Sequence, residues 1–520
     1  MAAVTWKYFV AIITVAFGAS FQFYSFGVVN PPQQIMEEWI NRTYIARNGK
    51  GFSRSALTVY WSFLSSSIAI GAFIGCLLTK ALSETCGRRN ALIANGIVNV
   101  FGGLFEGIAK GTRSPELLIL GRFILGANMG LTSGLAPMYI TEISPVRYRG
   151  AAGTAHQIAV AFGDWFSLFL ALPTILGGEQ LWPIAFAFAG IPALLLVMIL
   201  PWFPESPRYL LITLGKRHEA EEALRALTGP KNSKAAFDAL VKEAAMAQVD
   251  TSKVSIKTLF KHKHLRTPLL ISVLVMVAQQ FTGCAAVFAY STDIFIKANL
   301  SPDVARYATV AIGVCYFIFV LPSTYLIERW GRRGLSLFQL SGCCFALVLL
   351  TVFISLQNKH GQEWASYGCI AALVLYMCIY GLGSPIPWLI TSELFAQEHR
   401  SAAVTMSTFT AWFWAFVIST SYLPFQQAVG PCLSFLPFIV ILFISIVGMA
   451  LLLPETKNRT INDIVAEFME RGRKISRTMT FTANLTRPSA VSELDRLLED
   501  EENSDSAEKK PSYGSTPNFY

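Results

Sequence analysis

Asp164, within AFGDWFSLF, and Arg122, within ELLILGRFILG, are ionisable residues in runs that hydrocarbon should exclude. A charge at mid-bilayer costs about 2.5–3.5 kcal/mol on insertion scales, so such a group needs a partner, water or a solute. Asp164 follows Gln157 by seven residues, two helical turns that return it to within about 20° of the same face, roughly 10 Å farther along. An amide and a carboxylate on one face can read a donor-rich solute, or the acid can titrate during transport. The alternative is structural: Asp164 pairs with a cation such as Arg122, or accepts bonds from a neighbouring helix. No Ser/His/Asp set, metal-ligand spacing or phosphate-binding loop gathers on one side of the apolar runs, which argues against an enzyme.

A second set of charges repeats. CGRR at Cys86–Arg89 recurs as WGRR at Trp330–Arg333; Glu142 and Arg149 recur as Glu393 and Arg400; PESPR, with Glu205, recurs as PETK at Pro454–Lys457. The common offset of roughly 250 residues implies a tandem repeat, two bundles about an axis along the membrane normal with a site between them. Acids and arginines at the same end of both bundles can pair across the halves in one conformation and must separate in the other. Arg89, Glu142, Arg149, Glu205, Arg333, Glu393 and Arg400 are thus expected to form a gate. Topogenic anchoring is the plainer role for arginines in such loops.

The elements that must position these groups are membrane helices. The 520 residues are 53% hydrophobic and 14% charged, against roughly 25% charged in a soluble chain. Apolar segments long enough to cross a bilayer fall at 8–30, 58–79, 91–109, 116–138, 151–177, 181–201, 267–290, 304–326, 335–355, 366–392, 400–425 and 430–453. With no water to satisfy the backbone, each must be a helix, and the one flanking Gly383 and Pro385 is expected to bend. The chain divides into 1–201 (six helices), 202–266 (a polar helical linker), 267–457 (six helices) and 458–520 (a tail whose composition cannot bury a core). The net charge of +9 resides in loops and tail, a distribution that indicates membrane topology and no nucleic-acid partner. Because Lys and Arg crowd the linker side, the linker and both termini are expected in the cytosol. Of the sequons, Asn41 and Asn299 then lie outside and Asn458 and Asn484 inside, with Asn41 the better glycosylation acceptor.

The segments GRFILGANMGLTSGLAPMYITEISPVRYRGAAG, PESPRYL, QQFTGCAAVFAYST, ERWGRR, GSPIPWLITSELF and PETK, in that order, resemble the signatures of the facilitative glucose transporters, sugar porters of the major facilitator superfamily. The resemblance spans about residues 8–460. It implies an all-α fold of twelve transmembrane helices in two six-helix bundles, in a plasma-membrane uniporter of a hexose or related solute, without cofactor. It also implies that Gln157, Gln279, Gln280 and Trp388 contact the solute, chemistry that suits amides and an aromatic face. Gln279 and Gln280 point about 100° apart, so they are expected to contribute unequally; their other reading is helix–helix hydrogen bonding, and that of Trp388 is core packing. Where the family pattern carries polar groups, this sequence has Ala285, Tyr316, Tyr380, Ala411 and Ala415. Each solute hydroxyl left unpartnered costs roughly 1–3 kcal/mol, so Tyr316, Tyr380, Thr282 or ordered water must substitute, or the solute is less hydroxylated or more planar. Segment 1 has no acid between Tyr8 and Asn30, unlike related proton-coupled porters, which favours uniport over proton symport. A non-transporting solute sensor signalling through the tail is the remaining alternative.

Overall fold

The computed structural model describes residues 4–145, 148–248, 259–260, 263–361, 363–395, 397–457 and 459. The side chains of Arg149 and Arg400, the sequons at Asn458 and Asn484, and the tail lie outside the described residues. Every described element is helical. Ten helices have the length and hydropathy to cross a membrane: Trp6–Gly27, Arg54–Thr85, Arg88–Ile108, Pro115–Ile143, Trp182–Trp202, Leu265–Lys297, Pro302–Val320, Arg332–Asn358, Trp364–Leu394 and Ala402–Val429. The two remaining segments are Arg149–Leu170, whose apolar run is diluted by His156, Gln157 and Asp164, and the 17-residue Leu436–Leu452. Numbered in chain order, these are segments 1 to 12.

Segments 1, 6, 7 and 10 are interrupted, segment 6 between Ala187 and Gly190. Segment 10 interrupts between Gly383 and Ile386, as its Gly and Pro predict. Segment 7 interrupts at Gly283, whose φ of 87° is a left-handed conformation that glycine adopts without penalty. Segment 1 tightens to a 3₁₀ turn over Ser20–Phe23, where Gln22 Nε2 donates to Gly18 O at 3.1 Å. Neither of the last two interruptions has a proline at it, since Pro268 of segment 7 lies well before Gly283, and the apolar pattern runs through both, so hydropathy gives no sign of them. Irregular backbone at membrane depth is tolerated where it is buried in protein or lines a cavity.

Segments 2 and 4 pack backbone to backbone. A Cβ on Gly126 would lie 1.9 Å from Ile68 O, and one on Gly75 2.1 Å from Ala127 O, so small residues are required at this crossing. Between the halves, segment 2 meets segment 11 and segment 5 meets segment 8, pairs that interchange under the repeat. The linker helices Arg217–Thr228 and Pro230–Gln248 follow segment 6. The N-terminus is tied to the first of them, with Thr5 N donating to Leu227 O at 3.0 Å and Thr5 Oγ1 to Ala226 O at 2.6 Å. N-terminus and linker therefore share one face of the bundle, called below the linker face.

Candidate functional site

A cavity of about 700 Å³ lies between the halves. Segment 5 contributes His156, Gln157 and Asp164; segment 7 contributes Gln280, Cys284, Ala285 and Phe288 at its break; segments 8, 10 and 11 contribute Tyr316, Tyr380, Trp388 and Trp412. Gln157 and Asp164 thus share one cavity, as their spacing predicts. Of the positions where polar groups are replaced, Ala285, Tyr316, Tyr380 and Ala415 face the cavity and Ala411 does not. The replacement has built an aromatic wall, with Phe288 5.2 Å from Tyr316, Tyr316 5.6 Å from Tyr380, and Tyr380 stacked on Tyr376 at 5.8 Å.

The two adjacent glutamines have different roles. Gln279 does not line the cavity; it donates to Tyr380 Oη at 3.0 Å and accepts from Gln339 Nε2 at 3.0 Å, which holds Tyr380 in place. Gln280 does line it, and its Oε1 accepts from Cys284 Sγ at 3.6 Å. Sequence reasoning passed over His156, which is buried on the wall with Nδ1 2.6 Å from Ser20 Oγ. Its adjacency to Gln157 in an apolar run was the available signal.

Arg122 is not the partner of Asp164. Its guanidinium is fully buried, donates to Leu64 O, Ser25 O and Ser65 O at 3.0–3.2 Å, and stands 4.0 Å from Glu106 of segment 3, also fully buried. Among the described residues the carboxylate oxygens of Glu106 accept no hydrogen bond, so its compensation is Arg122 itself. Glu106 was missed because it sits near the end of its apolar run, where an acid reads as interfacial. Asp164 is 6% exposed; its backbone carbonyl accepts from Ser167 Oγ at 2.7 Å, and its carboxylate has no hydrogen-bond or ion-pair partner among the described residues.

The face opposite the linker is closed. Asn30, at the end of segment 1, donates to Phe288 O at 2.7 Å and Ser291 Oγ at 2.8 Å and accepts from Thr292 N at 3.1 Å, clasping segment 7. Thr420 of segment 11 donates to Ser66 of segment 2 at 2.7 Å. Beyond this clasp, helix Gln33–Asn48 places Glu37 against Asp293 and Lys297, themselves paired at 2.7 Å. Burial pushes the Glu37 carboxyl up to about 7; a bond from Gln33 opposes this, Asp293 adds to it, and Lys297 and Arg54 oppose it. On that face Asn41 lies within the helix, its Oδ1 accepting from Phe52 N at 3.0 Å, while Asn299 is exposed.

The cavity extends the other way, to Thr141, Arg208 and Ser392 near the linker face. There the repeated motifs form two matching clusters. Glu142 pairs with Arg88 at 3.0 Å and accepts from Ser206 Oγ; Glu393 pairs with Arg332 at 2.9 Å and accepts from Thr456 Oγ1. Glu205 accepts from Arg88 N and Arg89 N, and Glu455 from Arg332 N and Arg333 N, each carboxylate capping the first turn of a helix. Gly87 and Gly331, at φ of 87° and 80°, make room: a Cβ at either would meet the capping carboxylate at 2.5 Å. All these bonds lie within one half. Arg89 and Arg333 instead donate to Phe203 O and Ala450 O, so the first arginine of each pair, not the second, meets the acid. Adjacent helical residues diverge by about 100°, and the motif alone does not say which faces inward.

Two six-helix halves, related by a repeat and closed over a central cavity at one face only, define a membrane solute carrier of the major facilitator type. The family model "Sugar (and other) transporter" matches residues 11–468, and the chain belongs to that family. It is 37% identical over 471 residues to the facilitated glucose transporter member 4 of solute carrier family 2 from Mus musculus, covering 89% of this chain and 91% of that one. It is 35% identical over 455 residues to member 1 from Gallus gallus, covering 87% and 92%. Among solved structures, the partially occluded inward open xylose transporter XylE from E. coli aligns with a TM-score of 0.70 at 22% identity, over 88% of this chain and 100% of that one. XylE described as a proton:xylose symporter bound to 6-bromo-6-deoxy-D-glucose aligns at 0.71, also at 22% identity, over 89% and 99%. The chain is therefore a multi-pass transporter, not an enzyme.

Proposed function

We propose that this protein is a facilitative uniporter of a hexose-sized solute in the plasma membrane, with linker and termini cytosolic, described here in its cytosol-open conformation. The observation that carries this reading is a central cavity, walled by solute-reading amides and aromatic rings, that is clasped shut at one face and runs to the other. The relatives named as facilitated glucose transporters supply the solute class. Gln157, Gln280, Trp388, Tyr380 and Asp164 contact the solute, and Gln279 acts through Tyr380. Uptake of labelled hexose by the full chain in proteoliposomes tests it: saturable uptake that equilibrates without accumulation under an imposed pH gradient is expected. Gradient-driven accumulation would make the protein a symporter, and absence of uptake of any hexose would leave the sensor reading.

Alternating access requires the cytosolic clusters to change partners. When the cytosolic side closes, Glu142 and Glu393 meet arginines of the opposite half, Arg149 and Arg400 among them, while Glu205 and Glu455 keep the helix starts rigid. Neutralising Arg149 removes pairs that exist only in the closed state. Labelling of a cysteine at Ser392 from the cytosolic side should rise severalfold in Arg149→Ala; unchanged labelling rules the exchange out. Asn41, on the extracellular helix, is the proposed glycosylation acceptor.

The extracellular closure is expected to respond to pH. Glu37 has a carboxyl of about 7 while closed over Asp293 and Lys297, and in the open state water returns it toward about 4.3. The closed state thus binds the proton more tightly. Closure is favoured as external pH falls through 7 and is opposed above it, where a charged carboxylate must be buried beside Asp293. Cytosolic labelling at Ser392 should increase from pH 8 to pH 5.5 in the wild type and be flat in Glu37→Gln. A pH response of equal size in the variant would remove Glu37 from the account.

A further inference from the structure

Among the described residues the buried carboxylate of Asp164 is left without compensation. Asp164 is 6% exposed on the cavity wall, and its carboxylate meets no cation and no donor among the described residues. Arg122 is committed to Glu106 and three backbone carbonyls. His156, one face over on the same helix, is bonded to Ser20. Arg208 lies at the other end of the cavity, beside Glu205 and Ser206 in sequence, where the cavity meets the linker face. Across from Asp164 stand Tyr316 and Cys284, both within its electrostatic reach, with Phe288 edge-on to Tyr316.

A neutral polyol answers a buried carboxylate with hydroxyl donors but leaves its full charge in a low-dielectric site. An ammonium does more: it neutralises the carboxylate through a charge-assisted hydrogen bond and is stabilised by the faces of adjacent rings. Carboxylate beside aromatic wall is the arrangement that selects protonated amines over isosteric alcohols. Resting on the reading of this cavity as the solute site, we propose that Asp164 makes the carrier selective for solutes of hexose size bearing a protonated primary amine. The amine lies between Asp164 and the Tyr316–Phe288 wall, and the hydroxylated body against Gln157, Gln280 and Trp388.

The test uses the full-length protein in proteoliposomes at pH 6.5, with uptake of labelled D-glucose competed by unlabelled D-glucose, by 2-amino-2-deoxy-D-glucose and by its N-acetyl derivative. D-glucose controls for size, since it differs from the amine only in an OH in place of NH₃⁺, and the N-acetyl compound controls for the loss of charge. The amine is expected to compete at least tenfold better than either. Asp164→Glu keeps the preference and Asp164→Asn removes it. Should Asp164→Asn not assemble, thermal stabilisation of the detergent-purified wild type by the three sugars reads the same ranking. Hexose uptake with no advantage for the amine overturns the inference and leaves the carrier reading intact. Neutral uptake driven by a proton gradient, lost in Asp164→Asn, overturns it in favour of a proton on the carboxylate. No uptake or stabilisation by any of the three removes both readings.

Discussion

Arg122→Leu should destabilise the protein by about 3–5 kcal/mol, the cost of leaving a buried charge without its partner. The guanidinium joins segment 4 to Ser25 of segment 1 and to Leu64 and Ser65 of segment 2, and among the described residues it is the sole compensation for Glu106. Removing it leaves the Glu106 carboxylate buried without its cation and takes one donor from each of three helix carbonyls, of which Leu64 O also accepts from Ser67 Oγ. Glu106→Leu alone should cost less, because Arg122 keeps its three carbonyl acceptors. The sharper expectation is non-additivity: Arg122→Leu/Glu106→Leu should be more stable than Arg122→Leu, since the second change removes the orphaned acid. Unfolding of the purified protein in detergent measures this. Additive losses, or a single-variant cost below about 1 kcal/mol, would show that the two groups do not compensate each other.

Gln157→Ala/Gln280→Ala should weaken solute binding by roughly a hundred- to a thousand-fold. Each amide faces the cavity from a different half, and each hydroxyl left unpaired costs about 1–3 kcal/mol. Because one lies on segment 5 and the other beside the break in segment 7, the losses should be close to additive when the singles are compared. Gln279→Ala should behave differently. It touches Gln339 and Tyr380 and not the cavity, so it is expected to lower thermal stability more than affinity, through a loosened Tyr380. Competition binding on the three single variants and the double decides it. An affinity loss in Gln279→Ala equal to that in Gln280→Ala would mean that the Gln339–Gln279–Tyr380 chain rearranges when solute binds.

Sequence alone determined the membrane class, the twelve segments, the tandem repeat and the placing of Gln157 with Asp164, because each follows from local quantities. Hydrocarbon thickness sets segment length, backbone satisfaction demands helices, and 3.6 residues per turn sets which side chains share a face. The break at Gly383 and Pro385 was legible for the same reason, since proline acts on its own backbone. Tertiary structure alone decided the partnerships. Arg122 could have met Asp164 or any acid brought to its depth, and only the packing of segments 3 and 4 chose Glu106. Gln279 and Gln280 are the same residue type one position apart, yet the first is consumed by Gln339 and Tyr380 and the second is left to the cavity. In the repeated GRR motifs, the glycine and the glutamate more than a hundred residues later turned out to be a helix start and its carboxylate cap. A charge or an amide in a membrane segment announces a need for compensation; which atom meets it depends on the relative depth and rotation of helices that are distant in the chain, and hydropathy carries neither.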